Sequence, residues 1–121
     1  MSFKADCLFC KIAAGQIPSK KAFEDDDVLA FHDINPSAPV HLLIIPKQHV
    51  DNLYDADLKY QAVLGKILGI TGELARSHGC NDGFRIVINN GRVGRQEVYH
   101  LHAHLIAGPE PLRSGMKPPP V

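Results

Sequence analysis

The sequence has no excess of charge of either sign, because 13 lysines and arginines balance 13 aspartates and glutamates. A protein that neutralises many phosphates of a duplex is expected to be basic, so nucleic acid is not an expected partner. No run approaches the roughly 20 consecutive apolar residues that a membrane-spanning helix needs, and no membrane association is predicted. The N-terminal segment lacks a basic stretch followed by an apolar one, so no signal peptide is expected.

Cysteine is scarce, since the chain contains only Cys7, Cys10 and Cys80. Three cysteines cannot all pair within one chain, which makes a disulfide framework a poor interpretation. A reducing compartment, by default the cytoplasm, suits this composition better. The C-x-x-C spacing of the first two cysteines indicates a metal or redox role.

The chain is long enough to bury one substantial core but not two, so a single domain is predicted over residues 1–121. Its composition, 45% hydrophobic and 21% charged, is typical of a globular protein. Consecutive prolines near the C-terminus cannot form helix or central strand. The tail from about residue 112 to 121 is therefore expected to be extended.

Apolar periodicity and turn residues predict about five strands, one short helix and one long helix. The strands are expected at residues 21–24, 28–33, 41–46, 84–89 and 99–106. The short helix is expected at residues 7–15, and the long helix at 57–78, with Gly79 directly after its end. Because strands and helices are not regularly interleaved, an α+β fold with a mainly antiparallel sheet is predicted.

Three histidines alternate with apolar residues between His100 and His104. In an extended strand, alternate side chains point to opposite faces, so the three imidazoles would share one face of the sheet. Clustered imidazoles disfavour mutual protonation and have no packing rationale, which indicates a functional site. The pattern alone leaves two interpretations open. One is metal ligation, including a metal hydrolase that uses all three histidines, and the other is acid–base or nucleophilic chemistry.

A loop rich in glycine and arginine, residues 89–97, leads directly into the histidine segment. Gly91 and Gly94 allow the backbone to approach a ligand closely. Free N–H groups in such a loop can bind an anion. Beside three histidines, this loop indicates phosphate chemistry on the same face.

The segment His100-Leu101-His102-Ala103-His104-Leu105-Ile106 resembles the signature of the histidine triad (HIT) superfamily, in which three histidines alternate with apolar residues. The resemblance runs from about residue 7 to 116. It is greatest to the Hint branch, through matching segments at residues 17–18, 31–34, 36–39, 41–47 and 96–99. It implies a HIT-like fold. The sequence departs from the pattern at Ala103, where a larger apolar residue is more common, and at Arg95, where glycine is common.

The resemblance implies catalytic roles for four histidines. His102 matches the nucleophile that attacks the α-phosphorus of a nucleotide, with a backbone carbonyl on its second ring nitrogen to set the tautomer. His104 matches the histidine that donates a hydrogen bond to a phosphate oxygen. His100 and His41 match histidines of a proton relay.

The resemblance also implies a purine nucleotide site. Asp33 matches the carboxylate that accepts hydrogen bonds from both ribose hydroxyls. The remaining matches are a base pocket of Leu8, Phe9, Ile12, Phe31 and Ile34, the backbone of His32 near the base, and phosphate and leaving-group contacts from Asn89, Gln96 and Val98. Glu97 lies where the branch can carry a serine, and an ionised glutamate cannot donate a hydrogen bond to a leaving group.

Zinc-bearing relatives of the superfamily place their ligands at positions that match Cys7, Cys10, His49 and His100, and all four are present here. A closed Cys₂His₂ site would be structural and would tie the N-terminal helix to the sheet. Zinc bound to His100 would remove that residue from any proton relay. The alternative interpretation is two small buried cysteines and a surface His49.

By resemblance, the leading function is a purine nucleoside phosphoramidase that acts on adenosine 5′-phosphoramidates. One alternative is a dinucleoside polyphosphate hydrolase of the Fhit type, although Ala107-Gly108 replaces the Pro-Arg pair associated with that branch. The other is a nucleotide-binding regulatory module with little turnover. Hint relatives are homodimers that pair through the long helix and an edge strand, so a homodimer is expected.

Overall fold

The computed structural model describes residues 3–113, so residues 114–121 of the predicted extended tail lie outside the described residues. One sheet contains five strands, namely β1 (Lys21–Glu24), β2 (Val28–His32), β3 (Val40–Pro46), β4 (Arg85–Val87) and β5 (Ala103–Ala107). Their order is β1-β2-β3-β5-β4, and every neighbouring pair is antiparallel. The helices are α1 (Leu8–Ala13), α2 (Gln61–Gly69) and α3 (Thr71–Ser77). The predicted α+β class with an antiparallel five-stranded sheet is confirmed.

The central strand β3 is buried on both faces of the sheet, which explains its unbroken apolar sequence. Successive side chains of a strand point to opposite faces. Leu42 and Ile44 accordingly pack beneath α2 and α3 on one face. Leu43 and Ile45 pack against α1 on the other face. The face that carries α1 also carries the histidines.

The long helix predicted at residues 57–78 is bent. It begins with a 3₁₀ turn at Leu58–Tyr60, and α2 and α3 meet at Ile70. The hydroxyl of Thr71 donates to the carbonyl of Leu68 at 2.7 Å, a side-chain contact that bends helices. Gly79 has a φ of +78° and follows the helix end, as predicted. Within the described residues, no helix combines the length and apolar character needed to cross a membrane.

The last two predicted strands are shorter than expected. The segment predicted at residues 99–106 forms a ladder only over β5. Before Ala103 the backbone N–H of Leu101 donates to the carbonyl of Val50, outside β3, and the carbonyl of Pro46 is bonded to the ring of His100. The strand predicted at 84–89 is reduced to β4. The predicted alternation of side chains between the two faces nevertheless continues before the ladder begins. Leu101 packs with Val50 and Ala56, on the side away from the histidines.

Candidate active site and metal centre

The three histidines of the HxHxH segment are buried, with at most 1% of each residue exposed, but they do not converge on one point. Among residues 3–113, the groups that could hold a metal ion place His100 with Cys7 and Cys10, and place His104 elsewhere. His102 belongs to neither group. The arrangement therefore gives no support to a metal hydrolase that uses all three imidazoles on one ion.

His102 is held in one tautomer. Its Nδ1–H donates to the backbone carbonyl of His100 at 2.7 Å, so the lone pair of the neutral ring lies on Nε2. Nε2 is buried and has no hydrogen-bond partner within the described part of the chain. The ring of Phe9 packs against the imidazole edge to face, with centroids 5.2 Å apart. An oriented imidazole with a free ring nitrogen can attack an electrophile.

His41 and His104 form a directed hydrogen-bond chain. The backbone N–H of Ser37 donates to Nδ1 of His41 at 2.9 Å, which places the proton of the neutral ring on Nε2. Nε2–H of His41 then donates to Nδ1 of His104 at 2.8 Å, so the proton of His104 lies on Nε2. Burial lowers the pKa of His41, and the nearby Asp33 carboxylate opposes that shift. The chain thus makes His104 a hydrogen-bond donor.

Asp33 lies at the end of this chain, with Oδ2 3.5 Å from Nε2 of His41. The three groups Asp33, His41 and His104 are close enough to be considered as a metal site. A metal on His41 would need Nε2 without its proton, while Nδ1 already faces the N–H donor of Ser37. The hydrogen bonds therefore favour a proton chain over a metal site here.

A second cluster brings together four ligand atoms from distant parts of the chain. Sγ of Cys7 and Sγ of Cys10 lie 3.3 Å and 3.5 Å from Nδ1 of His100. Sγ of Cys10 also lies 3.3 Å from Nδ1 of His49. Zinc bonds of about 2.3 Å to sulfur and about 2.0 Å to nitrogen put tetrahedral neighbours roughly 3.5 Å apart, so these four residues fit a zinc ion.

The outer ring nitrogens support the same assignment. Nε2–H of His49 donates to the carboxylate of Asp51 at 2.7 Å, and Nε2–H of His100 donates to the carbonyl of Pro46 at 2.8 Å. Each bond leaves Nδ1 as the lone-pair nitrogen that faces the thiols, which is the usual arrangement around zinc. Burial lowers the pKa of His100 to about 4, so its ring is neutral, as a ligand must be.

An apolar pocket of about 580 Å³ opens beside α1, within the size range of small-molecule sites. Eight of the residues predicted for the nucleotide line it, namely Leu8, Phe9, Ile12, Phe31, His32, Asp33, Ile34 and Val98. Phe9 and Phe31 meet edge to face at 5.7 Å. Ile34 is 92% exposed and lies at the rim of the pocket rather than in its wall.

Comparison with known proteins identifies the family. The HIT domain model matches residues 14–110, most of the chain. The chain belongs to the HIT family. It is 48% identical over 104 residues to Protein HitA of Neisseria gonorrhoeae, a match that covers 86% of this chain and 97% of that protein.

Two further relatives concern the metal centre and the fold. The HIT chain is 47% identical over 105 residues to a 14 kDa zinc-binding protein of Brassica juncea, a match that covers 85% of this chain and 93% of that protein. A crystal structure of a HIT family hydrolase from Legionella pneumophila Philadelphia 1 superposes with a TM-score of 0.84 at 45% identity, covering 96% of this chain and 100% of that chain. The predicted HIT-like fold is confirmed.

Sequence reasoning missed two apolar residues of the HIT pocket, Ile17 and Leu43. Leu43 pairs directly with His104 across β3 and β5, so both side chains lie on one face of the sheet. Its position two residues after His41 in the same strand was the signal that could have identified it. The side chain of His32, by contrast, packs edge to face on His78, with ring centroids 5.2 Å apart.

Gln96 is placed differently from the other predicted nucleotide residues. Its Oε1 accepts from the N–H of Gly91 at 2.9 Å, and its Nε2 donates to the carbonyls of Asp51 at 2.7 Å and Val98 at 3.0 Å. The amide is therefore engaged in holding the glycine-rich loop closed. Of the predicted phosphate and leaving-group residues, Asn89 is buried and Glu97 is exposed, and only Val98 lines the apolar pocket.

The glycine-rich loop contains backbone conformations that favour glycine. Gly91 has a φ of +71°, and a Cβ on Gly94 would lie 2.5 Å from the carbonyl oxygen of Asn90. Arg95 has a φ of +64° and is the only non-glycine residue with a positive φ in residues 3–113. This backbone conformation is one that glycine adopts without the steric cost that a side chain brings.

Proposed function

We propose that this HIT protein is a Hint-like nucleotide hydrolase that cleaves the P–N bond of adenosine 5′-phosphoramidates through a nucleotidyl-His102 intermediate. The observation that carries the proposal is the free, buried Nε2 of His102, beside a pocket suited to a nucleoside. A ring nitrogen with an oriented lone pair is the feature that nucleophilic catalysis by imidazole requires.

In the first step, Nε2 of His102 attacks the α-phosphorus. The Nε2–P bond forms as the P–N bond of the substrate breaks, and the amine leaves with a proton taken from the site. The imidazolium that forms keeps its Nδ1–H on the carbonyl of His100, which stabilises the positive ring. In the second step, water attacks phosphorus as the Nε2–P bond breaks, and the nucleoside monophosphate is released. A proton of the attacking water replaces the one that the site gave to the amine, and the ring of His102 becomes neutral again. The sum is substrate plus water to monophosphate plus amine.

His104 stabilises the charge that develops on phosphorus. Because its Nδ1 accepts from His41, its Nε2–H donates to a non-bridging phosphate oxygen. His41 is the second member of the proton chain, whereas His100 belongs to the metal centre and does not take part in it. Asp33 accepts hydrogen bonds from the ribose hydroxyls, since a carboxylate offers two acceptor oxygens.

We assign zinc to the Cys₂His₂ centre formed by Cys7, Cys10, His49 and His100. Support comes from the ligand spacing, from the outer hydrogen bonds of both imidazoles, and from the zinc-binding relative in Brassica juncea. The ion supplies structural cross-linking when bound. The six-residue α1 is too short to be stable alone and depends on such an anchor. The reduced thiols are consistent with a cytoplasmic protein.

A homodimer is part of the same proposal. Edge strand β4 has an unpaired side within the described sheet, and α2 exposes Leu68, which is 54% exposed. Between them lies an apolar depression of about 200 Å³ lined by Leu53, Leu64 and Ile88 among others. A monomer mass in light scattering at micromolar concentration would refute the dimer.

The deciding experiment measures AMP release from an adenosine 5′-phosphoramidate by the unmodified protein and by His102→Ala, each with and without a chelator. The unmodified protein should turn over and the variant should not. Nucleotide binding without turnover by the unmodified protein would instead indicate a regulatory binding module. Preferential cleavage of diadenosine polyphosphates would indicate the Fhit-type activity.

A further inference from the structure

His100 joins the metal centre to the catalytic centre through two different atoms. Its side-chain Nδ1 faces the thiols of Cys7 and Cys10, at 3.3 Å and 3.5 Å. Its backbone oxygen accepts the Nδ1–H of His102 at 2.7 Å. A displacement of the His100 backbone that follows loss of a ligand bond would move the acceptor that sets the tautomer of His102.

The strand ladder does not hold the backbone around His100, although the residue is buried and packs on Phe9 and His49. Residues 100–102 lie outside β5, so the sheet ladder does not fix them. Two other hydrogen bonds constrain the segment: the Nε2–H of His100 to Pro46 and the backbone N–H of Leu101 to the carbonyl of Val50, both at 2.8 Å. The metal ligand bond is thus a principal restraint on the carbonyl that orients His102.

A second connection between the metal centre and the catalytic centre passes through α1. Phe9 lies between the two cysteines in sequence, lines the nucleotide pocket, and packs edge to face on the rings of His100 at 6.0 Å and His102 at 5.2 Å. A ligand bond on each side of Phe9 fixes the position of this ring. The wall of the pocket and one side of the nucleophile are then set by the same ion.

A third connection, from the metal centre to the glycine-rich loop, passes through Asp51. Its carboxylate accepts from His49 at 2.7 Å, and its backbone carbonyl accepts from Nε2 of Gln96 at 2.7 Å. Gln96 in turn closes the glycine-rich loop through Gly91. The metal centre therefore touches three parts of the site, namely the nucleophile, the pocket wall and the loop, although none of its ligand atoms needs to contact substrate.

From these contacts we infer that His100 is a positioning residue through which the occupied Cys₂His₂ centre sets the tautomer and orientation of His102. The metal controls the reaction without taking part in a chemical step. The kinetic side of this inference rests on the proposed function, whereas the orientation of His102 does not.

The test compares zinc-loaded and chelator-stripped protein labelled with ¹⁵N-histidine. In the loaded protein, the Nδ1–H of His102 should give a slowly exchanging NMR signal, because it is buried and hydrogen-bonded. Removal of zinc should abolish or shift that signal and lower kcat at least roughly tenfold, an effect typical of lost support around a metal site. Methyl proton signals of the core on the far face, such as those of Val28 and Ile44, need no isotope label and report whether the protein remains folded.

Asp51→Asn provides a graded form of the same test. The amide oxygen of asparagine can still accept from His49, but loss of the negative charge weakens this outer hydrogen bond and should lower the affinity for zinc by roughly 10- to 100-fold. Zinc titration of the stripped variant should restore kcat and the His102 signal with one common midpoint. Cys80→Ala is the matched control, because Cys80 is a buried cysteine on the opposite face of the sheet, and its titration should match that of the unmodified protein.

Stripped protein that stays folded with unchanged kcat and an unchanged His102 signal would overturn the inference. If the stripped protein unfolds, protein loaded with cadmium, a larger thiolate-binding ion, replaces it in the comparison. An altered His102 signal with reduced kcat then supports the inference, and identical values contradict it. A His102 signal that follows zinc without any phosphoramidate turnover would refute the proposed function while sustaining the positioning role.

Discussion

Nε2 of His41 lies 2.8 Å from Nδ1 of His104, and this contact determines which nitrogen of His104 carries the proton. His41 can act as the donor because the N–H of Ser37 occupies its other ring nitrogen. His41 thereby makes His104 a hydrogen-bond donor at Nε2. In the proposed mechanism, His104 touches the phosphate and His41 sets the protonation of His104.

His41→Leu is accordingly expected to lower kcat with a smaller effect on KM. Without its donor, His104 can place the proton on Nδ1 and present an acceptor to the phosphate oxygen. Loss of one such stabilising donor costs about 10²- to 10³-fold in kcat. Steady-state phosphoramidase assays measure the effect. His78→Leu, a histidine at the end of α3, is the control and should retain the activity; an equal loss in both variants would contradict the relay.

The buried, neutral state of His41 also predicts a pH dependence of stability. Burial lowers its pKa below the ordinary value of 6.5, so the unfolded state binds more protons between the two pKa values. Stability is then fully present above about pH 6.5 and declines as the pH falls. Urea unfolding from about pH 7.5 to about pH 5.5 should show this decline.

The contribution of His41 is isolated by comparing how steeply the unfolding free energy changes with pH in His41→Leu and in the unmodified protein. His41→Leu removes the titrating group, so its unfolding free energy should fall less steeply over the same pH range than that of the unmodified protein. Zinc release at low pH affects both proteins and cancels in the difference. Parallel curves for the two proteins would show that His41 does not titrate between its folded and unfolded values.

The strand pattern around the histidines was predictable because it depends on local alternation. Leu101 and His102 point to opposite faces, as period-two packing requires, even though neither lies in a strand ladder. The extent of that ladder was not predictable, since the backbone N–H of Leu101 donates to Val50, which lies outside β3. Strand ends are set by the pairing partner, which is distant in sequence.

The sequence predicted the Cys₂His₂ cluster better than it predicted the role of Gln96. The C-x-x-C spacing alone indicated a metal or redox role. His100 is 90 residues from Cys10, and only the family resemblance suggested that these residues share a site. For Gln96, by contrast, the sequence pattern predicted a phosphate contact that the hydrogen bonds of its side chain do not support. A polar residue beside a glycine-rich loop fits phosphate binding, yet three of the partners of Gln96 are backbone groups, of Gly91, Asp51 and Val98, which no side-chain pattern reveals. The fourth is the side chain of Asn52, 44 residues away in sequence.

Asp33→Asn tests the recognition of ribose. Oδ1 of Asp33 also accepts from the N–H of Asn35 at 2.8 Å, and asparagine can keep that turn contact while losing the negative charge. A hydrogen bond to a charged group is worth about 1.5–3 kcal/mol, so KM for the ribonucleotide should rise by about tenfold or more. KM for the 2′-deoxy substrate should rise less, and the preference for ribose should shrink.

The matched control for that variant is Asp26→Asn, since Asp26 is an exposed carboxylate in the turn between β1 and β2. Its KM values for both substrates should equal those of the unmodified protein. An unchanged ratio of ribose to deoxyribose KM in Asp33→Asn would remove Asp33 from the ribose site.

Arg95→Gly is expected to stabilise the protein, although most substitutions destabilise. A non-glycine residue at a φ of +64° costs about 1–2 kcal/mol, and glycine relieves this cost while adding about 0.5–1 kcal/mol of unfolded-state entropy. The net gain should reach up to about 1 kcal/mol in urea unfolding. Arg92→Gly lies in the same loop without a positive φ and should be neutral or destabilising. Equal shifts in both variants would show that charge, rather than backbone conformation, governs this loop.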